Sequence, residues 1–276
     1  MPGENDSLLR FEDVTVDFGE VKALDKVSFD MNPGGARVLL GSAGSGKTVL
    51  LKTAMGLNSP SEGRVFLFGK DISRLPETEL FEMRSKLGML FQESALFDSM
   101  TVAQNVAYPL LNQKSFRVMP REKMEPAVRD SLRFVELEQT MDKFPSELSG
   151  GMRRRVAIAR AVVTKPPLLL YDSPTAGLDP ITAHTIMALI IKERDVDKTA
   201  ALVVTHRYQD GNLMANFRYN PDSGRLDQAG DAGTNTVFMV LREGRLIFEG
   251  IQAELEASSD PYIKKFVKRP EENAAA

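Results

Sequence analysis

Gly41-Ser42-Ala43-Gly44-Ser45-Gly46-Lys47-Thr48 decides the reading of this chain. The spacing matches a P-loop, in which glycines let backbone N–H groups turn toward phosphate oxygens, a lysine adds a point charge, and a hydroxyl reaches a magnesium ion. At average glycine usage the pattern arises by chance in about one chain in a hundred of this length. The flanks argue against coincidence. Arg37-Val38-Leu39-Leu40 reads as a buried strand entering the loop, and Val49, Leu50, Ala54 and Leu57 give helix-like spacing after it. Strand, glycine loop and helix is the context the motif needs, so Gly41 to Thr48, with Val49 behind them, are the expected triphosphate ligands.

Working outward, Val14, Val16 and Phe18 alternate with Thr15 and Asp17, the period of a half-buried strand, and Val65 to Phe68 predicts another. From Gln92 to Val163 the pattern turns helical, with breaks expected at Pro109, Pro120, Pro126 and Pro145. Leu168-Leu169-Leu170-Tyr171 and Ala201-Leu202-Val203-Val204 read as central parallel strands, and Ala183, Met187, Ile190 and Ile191 share a helix face between them. Asn220 to Thr236 is rich in Gly, Asp and Asn and predicts a surface loop or ragged hairpin. Val237 to Glu249 predicts two strands joined at Glu243-Gly244, and the tail after Pro270 is expected to be disordered.

Composition narrows the classes. In 276 residues, 35 Lys and Arg face 38 Asp and Glu, a net charge of −3 that argues against a general nucleic-acid binder. The absence of cysteine excludes disulfides and thiolate metal sites. No run approaches the roughly 18 apolar residues of a membrane span, and Met1 to Asp6 has no signal-peptide core. The expectation is a cytoplasmic chain that reaches a membrane only through another subunit.

A second motif extends the first. Leu148-Ser149-Gly150-Gly151-Met152 opens a helical run in which Met152, Val156, Ala159 and Val163 fall on one face, so Ser149 is an N-cap and Gly150 and Gly151 expose donors at the positive end of a helix dipole. A P-loop followed by this pentapeptide resembles the ABC ATPase family and its signature motif. The resemblance implies an α/β, ABC-type P-loop NTPase with a RecA-like core, an N-terminal antiparallel β subdomain and an inserted helical subdomain at about 93–163. It places the nucleotide-binding domain at residues 8–250 and a partly disordered extension at 251–276. The cofactors it implies are ATP and Mg²⁺. Phe18 takes the place of the adenine-stacking aromatic, Gln92 that of the glutamine touching Mg²⁺ and the attacking water, and Asp172 that of the Mg²⁺-holding carboxylate beside Thr48. Asp179 matches the loop aspartate between subunits, His206 the histidine that contacts the γ-phosphate, and Ser149 to Gly151 close over ATP held by a second subunit. His184, on a helix, is read as structural, and Arg153-Arg154-Arg155 as a solvated face.

One position departs from the family. Where a glutamate normally polarises water immediately after Asp172, this chain has Ser173. A serine takes no proton near neutral pH, and general-base assistance is worth about two to four decades in rate. The preferred expectation is slow hydrolysis, against an ATP-gated switch that scarcely turns over. Met152 in the signature, Ala95 to Leu110 after Gln92, and Asp260-Pro261-Tyr262-Ile263-Lys264-Lys265-Phe266 resemble the ATPases of bacterial Mla or Mce-type lipid transporters. That resemblance implies a homodimer on the cytoplasmic face of the inner membrane, bound to an integral-membrane permease, with lipid-binding and small regulatory subunits as further partners and phospholipid as cargo. Another class of ABC transporter stays open. Soluble ABC proteins that act on ribosomes usually carry two motif sets per chain, and this chain has one.

Overall fold

The computed structural model describes residues 7–112, 120–230 and 233–267; the tail after Pro270 lies outside them. Its centre is a sheet in the order β12-β11-β3-β8-β7-β6, formed by Arg245–Gly250, Thr236–Arg242, Ala36–Leu40, Ala200–Thr205, Leu168–Asp172 and Leu87–Leu90. All neighbours are parallel except β12 on β11. Strands β7 and β8 are buried along their whole length, which is why they read as unbroken apolar runs without alternation. A second, antiparallel sheet, β2-β1-β4-β5, joins Lys22–Met31, Leu9–Asp17, Glu62–Leu67 and Lys70–Asp71. One apolar cluster fills the space between the two sheets around α1 (Lys47–Ala54) and α2 (Glu77–Arg84). The other lies beneath α3 (Val102–Asn112), α4 (Arg121–Phe134), α5 (Gly150–Val162), α6 (Pro180–Val196) and α7 (Tyr208–Asn216).

Several local expectations need correction. Helix α1 ends at Ala54, and Leu57 is 52% exposed rather than part of its apolar face. Pro109 and Pro126 do not break their helices but lie inside α3 and α4. A helical proline costs about 3 kcal/mol, yet burying Val102, Val106 and Leu110 of α3 contributes roughly 1.5–3 kcal/mol each, so packing prevails. Pro120 and Pro145 do stand at starts, of α4 and of a short 3₁₀ turn. Buried Asn105 anchors α3: its Nδ2 donates to the carbonyls of Phe97, Met100 and Thr101, and its Oδ1 accepts from the Phe97 N–H.

The segment from Asn220 onward carries an ordered hairpin. β9 (Phe217–Asn220) pairs with β10 (Arg225–Gln228), and the pair is tied to α6 by Asp195, which accepts from the Tyr219 N–H at 2.8 Å. Arg194 holds Asp195 at 2.8 Å and donates to the Phe217 carbonyl at 2.7 Å. After β12 come α8 (Gln252–Glu256) and α9 (Pro261–Val267), pinned to the main cluster by Leu255 and Ile263. No helix among the described residues is long and apolar enough to cross a membrane.

Buried Glu193 of α6 introduces a pH dependence. Desolvation, assisted by Asp197, raises its carboxyl from 4.5 to about 7, while the Thr199 hydroxyl, donating at 3.0 Å, pulls the other way. The folded state therefore keeps a proton that the unfolded chain releases, and the stability that Glu193 contributes is fully present below pH 4.5 and is lost as pH rises through about 7. The span corresponds to about 3 kcal/mol. Melting curves at pH 5 and pH 8 should show Glu193→Gln losing less stability across that range than the native chain. Identical slopes for the two proteins would assign the pH dependence elsewhere.

Candidate functional site

Register aligns the ends of the central strands. Leu40 pairs with Thr205, Asp172 with Val204 and Leu90 with Tyr171, so Gly41, His206, Ser173 and Gln92 all emerge at the same edge of the sheet. This carboxyl edge is where open parallel sheets bind ligands. Gly46 caps α1 at φ 106° and its N–H lies at the helix entrance, and a Cβ there would collide with the Ala23 carbonyl. The loop is drawn in by Gly244, whose N–H donates to the Ser45 carbonyl at 3.0 Å. Beside it lies a cavity of about 380 Å³ lined by Val21, Ala23, Gly44, Lys47, Val49 and Gly244, among others. Phe18 stands across the β1–β2 turn, 61% exposed, its N–H donating to Val21; Val21 rather than Phe18 borders the cavity.

Lys47 Nζ donates to the carbonyls of Gly41 and Ser42 at 2.8 and 2.7 Å. Burial pulls this ammonium below the ordinary lysine value, and the negative charge of Asp172 partly restores it. Thr48 Oγ1 donates to Asp172 Oδ2 at 3.3 Å, and Ser173 Oγ donates to the other oxygen at 3.2 Å. Thr48 and Asp172 thus present hard oxygen donors side by side, the donor set Mg²⁺ takes. No group of three or more His, Cys, Asp or Glu that could hold a metal occurs among the described residues. An ion here would draw its remaining ligands from phosphate and water. Ser173 itself is nearly buried, bent to φ 49°, and its N–H donates to the Val204 carbonyl at 2.7 Å. A non-glycine residue in this left-handed region carries backbone strain at the point where β7 ends.

The remaining sequence candidates occupy surrounding loops. Gln92 is exposed in the turn after β6, and His206 is exposed just beyond β8. Ser149 caps α5 by accepting from the Met152 N–H at 3.2 Å, and both Ser149 and Gly150 face solvent, while Gly151 packs toward Thr182. Asp179 caps α6, accepting from the N–H groups of Ile181 and Thr182 at 3.1 and 3.0 Å; its hydrogen bonds with Thr182 lower its carboxyl below the usual range. His184 is exposed on α6.

Two linking residues escaped the sequence reading. Arg154 is 6% exposed rather than solvated, and donates to the carbonyls of Phe91 at 3.1 Å and Ala176 at 3.4 Å. The pattern of three consecutive arginines concealed that the middle one lies on the buried side of α5. Asp210, 1% exposed, accepts on one oxygen from the hydroxyls of Thr175 and Thr205, both at 2.7 Å. Burial raises its carboxyl, while the two hydroxyls and Arg207 oppose the shift. It joins the turn after Ser173 to the strand end before His206, a link between distant residues that no local motif announces.

Comparison with known proteins agrees with this geometry. The ABC transporter family profile matches residues 24–176. The intermembrane phospholipid transport system ATP-binding protein MlaF of Haemophilus influenzae is 31% identical over 264 residues, 96% of this chain and 91% of that protein. The methionine import ATP-binding protein MetN of Corynebacterium jeikeium is 37% identical over 224 residues, 80% of this chain but 60% of that relative, so the chain spans less than two thirds of its length. The dimeric, post-hydrolysis ATP-binding cassette MJ0796 with ADP and Pi superimposes with a TM-score of 0.72 at 30% identity, covering 87% of this chain and 97% of that one. A profile over more than half of the chain, a relative matched nearly end to end and a shared cassette fold together show that the chain belongs to the ABC transporter family, as an ATP-binding subunit of the P-loop ATPase class.

Proposed function

We propose that the chain is the ATPase subunit of a lipid-moving ABC transporter, working as two copies docked on an integral-membrane permease at the cytoplasmic face. The observation that carries the chemistry is the meeting of Lys47, Thr48 and Asp172 at the ends of β3 and β7. When bound, Mg²⁺ would be held by Thr48 and Asp172, with Gln92 within the same edge, and would supply charge neutralisation of the phosphates. Lys47 and the N–H groups at the start of α1 orient the phosphates, and the exposed N-terminus of α5 at Ser149 and Gly150 offers donors to ATP on a second copy. His206 serves the γ-phosphate. Electrostatic positioning of this kind supplies most of the acceleration in phosphoryl transfer.

Support for the partner comes from a groove of about 380 Å³ between the β6 edge and α3, lined by Met89, Phe91, Phe97, Tyr108 and Arg160. Phe91 and Phe97 are 41% and 39% exposed there, next to Gln92, as an apolar helix end from a permease would require. Lipid as cargo is favoured by the end-to-end match with the phospholipid-system relative, since the methionine-import relative matches over a smaller share of this chain. The dimeric cassette that shares the fold supports the pairing of two copies.

For the rate, we infer slow but real turnover, because the phosphate-positioning groups are in place and only the usual proton acceptor is missing. The alternative of an ATP-gated switch is favoured by one feature: the Ser173 hydroxyl is turned inward on Asp172, where it neither accepts a proton nor orients water. Steady-state ATP hydrolysis by the chain with its permease separates the two. Measurable native turnover that Lys47→Ala reduces to background supports the motor. Background native activity that rises by about two to four decades in Ser173→Glu supports the switch.

Asp210 gives a second test. If it keeps His206 and the turn after Ser173 in register, Asp210→Ala should lower kcat by about ten- to a hundredfold with ATP affinity little changed, and Asp210→Asn, which keeps an acceptor oxygen for the two threonines, should recover most of it. Full activity in Asp210→Ala would remove the residue from the mechanism.

A further inference from the structure

The Asp260 to Phe266 segment reaches the phosphate loop. Its helix α9 places the Tyr262 hydroxyl against the first turn of the phosphate loop. The Ser42 N–H donates to that hydroxyl at 3.0 Å, the Ser42 Oγ lies 2.9 Å from it, and the hydroxyl donates to the Leu241 carbonyl at the end of β11 at 3.1 Å. With one proton and two lone pairs, the phenol is fully used by these three contacts. The helix is itself fixed in place. The Tyr262 N–H donates to Asp260 at 2.7 Å, Asp260 pairs with Arg242 at 3.5 Å, Arg242 lies over the Tyr262 ring at 5.6 Å, and Ile263 is buried beneath.

Ser42 is also the residue whose carbonyl receives Lys47 Nζ. A continuous path thus runs from α9 through the phenol and Ser42 to the ammonium that meets the phosphates. Resting on the reading of this loop as the ATP site, we propose that Tyr262 is a positioning residue of that site: its hydroxyl holds Ser42, and through it the Lys47 end of the loop, in the form that receives the triphosphate. The C-terminal helix is then part of the nucleotide site although it follows the sheet and touches no phosphate. Displacement of α9 loosens the grip on ATP without altering any residue of the glycine motif.

The test uses the full chain. Calorimetric titration with Mg-ATP should show Tyr262→Phe, which keeps the ring and its contacts with Arg242 and Phe266, binding about three- to tenfold more weakly than the native protein. Turnover should split the same way, KM rising by that factor with kcat within twofold, while the melting temperature without nucleotide stays within about two degrees. Ile263→Val, which trims one buried methyl under α9 without displacing the helix and keeps the hydroxyl, controls for packing and should leave ATP affinity nearly native. Unchanged affinity in Tyr262→Phe, or a loss of affinity matched by lowered nucleotide-free stability, overturns the proposal. Failure of the native chain to bind ATP would instead defeat the reading of the site, independently of Tyr262.

Discussion

Everything functional in this molecule depends on the parallel hydrogen-bond register of β3, β8 and β7. Three strands with both faces buried have little freedom to slip, because a shift by one residue would turn every side chain to the opposite face. Their carboxyl ends are therefore held level, and the residues that follow each strand are delivered to one line: Gly41 after β3, Ser173 after β7, His206 after β8. The contact between Thr48 and Asp172, 124 positions apart in the chain, is a result of that alignment. The flexible glycine loop is accurate only because the sheet beneath it is stiff.

A second layer of organisation lies in side chains that tie neighbouring loops together. Asn105 closes the turn before α3, Asp210 joins the turn after Ser173 to the end of β8, and Arg160 of α5 donates to the Ala95 and Ser94 carbonyls at 2.7 and 2.8 Å. Such polar groups, buried or half-buried, contribute modestly to net stability but are costly to leave unpaired, so each favours one arrangement of the backbone. The Arg154 Nε and the Tyr171 hydroxyl are exceptions among the described residues, buried with no hydrogen-bond partner.

The sequence was informative where one local rule governs the outcome. The glycine loop, the apolar strands β7 and β8, the Ser149 cap and the Glu243-Gly244 turn, with both residues at positive φ, follow from spacing and residue type. Reading failed where tertiary contacts outweigh local preference. Pro109 and Pro126 are breakers by propensity, yet helix packing keeps them inside α3 and α4. The Asn220 region, polar and aperiodic, left loop and hairpin both open in the sequence; the hairpin forms, anchored by the Arg194–Asp195 pair, which no window of sequence around it contains. Arg154, Asp210 and Tyr262 share a further reason for escaping notice: each has at least one partner more than 20 positions away, beyond the reach of any local sequence window.

The placement of Arg154 has a mechanical consequence. Its guanidinium grips one carbonyl at the end of β6, beside the groove lined by Phe91 and Phe97, and another in the turn that leads from Ser173 to Asp179. A planar, rigid fork between two loops transmits displacement as a strut does, with little give along its own plane. A push on the Phe91 side is therefore delivered to the segment between Ser173 and Asp179. The two loops are geared together, and the tooth is a single buried cation.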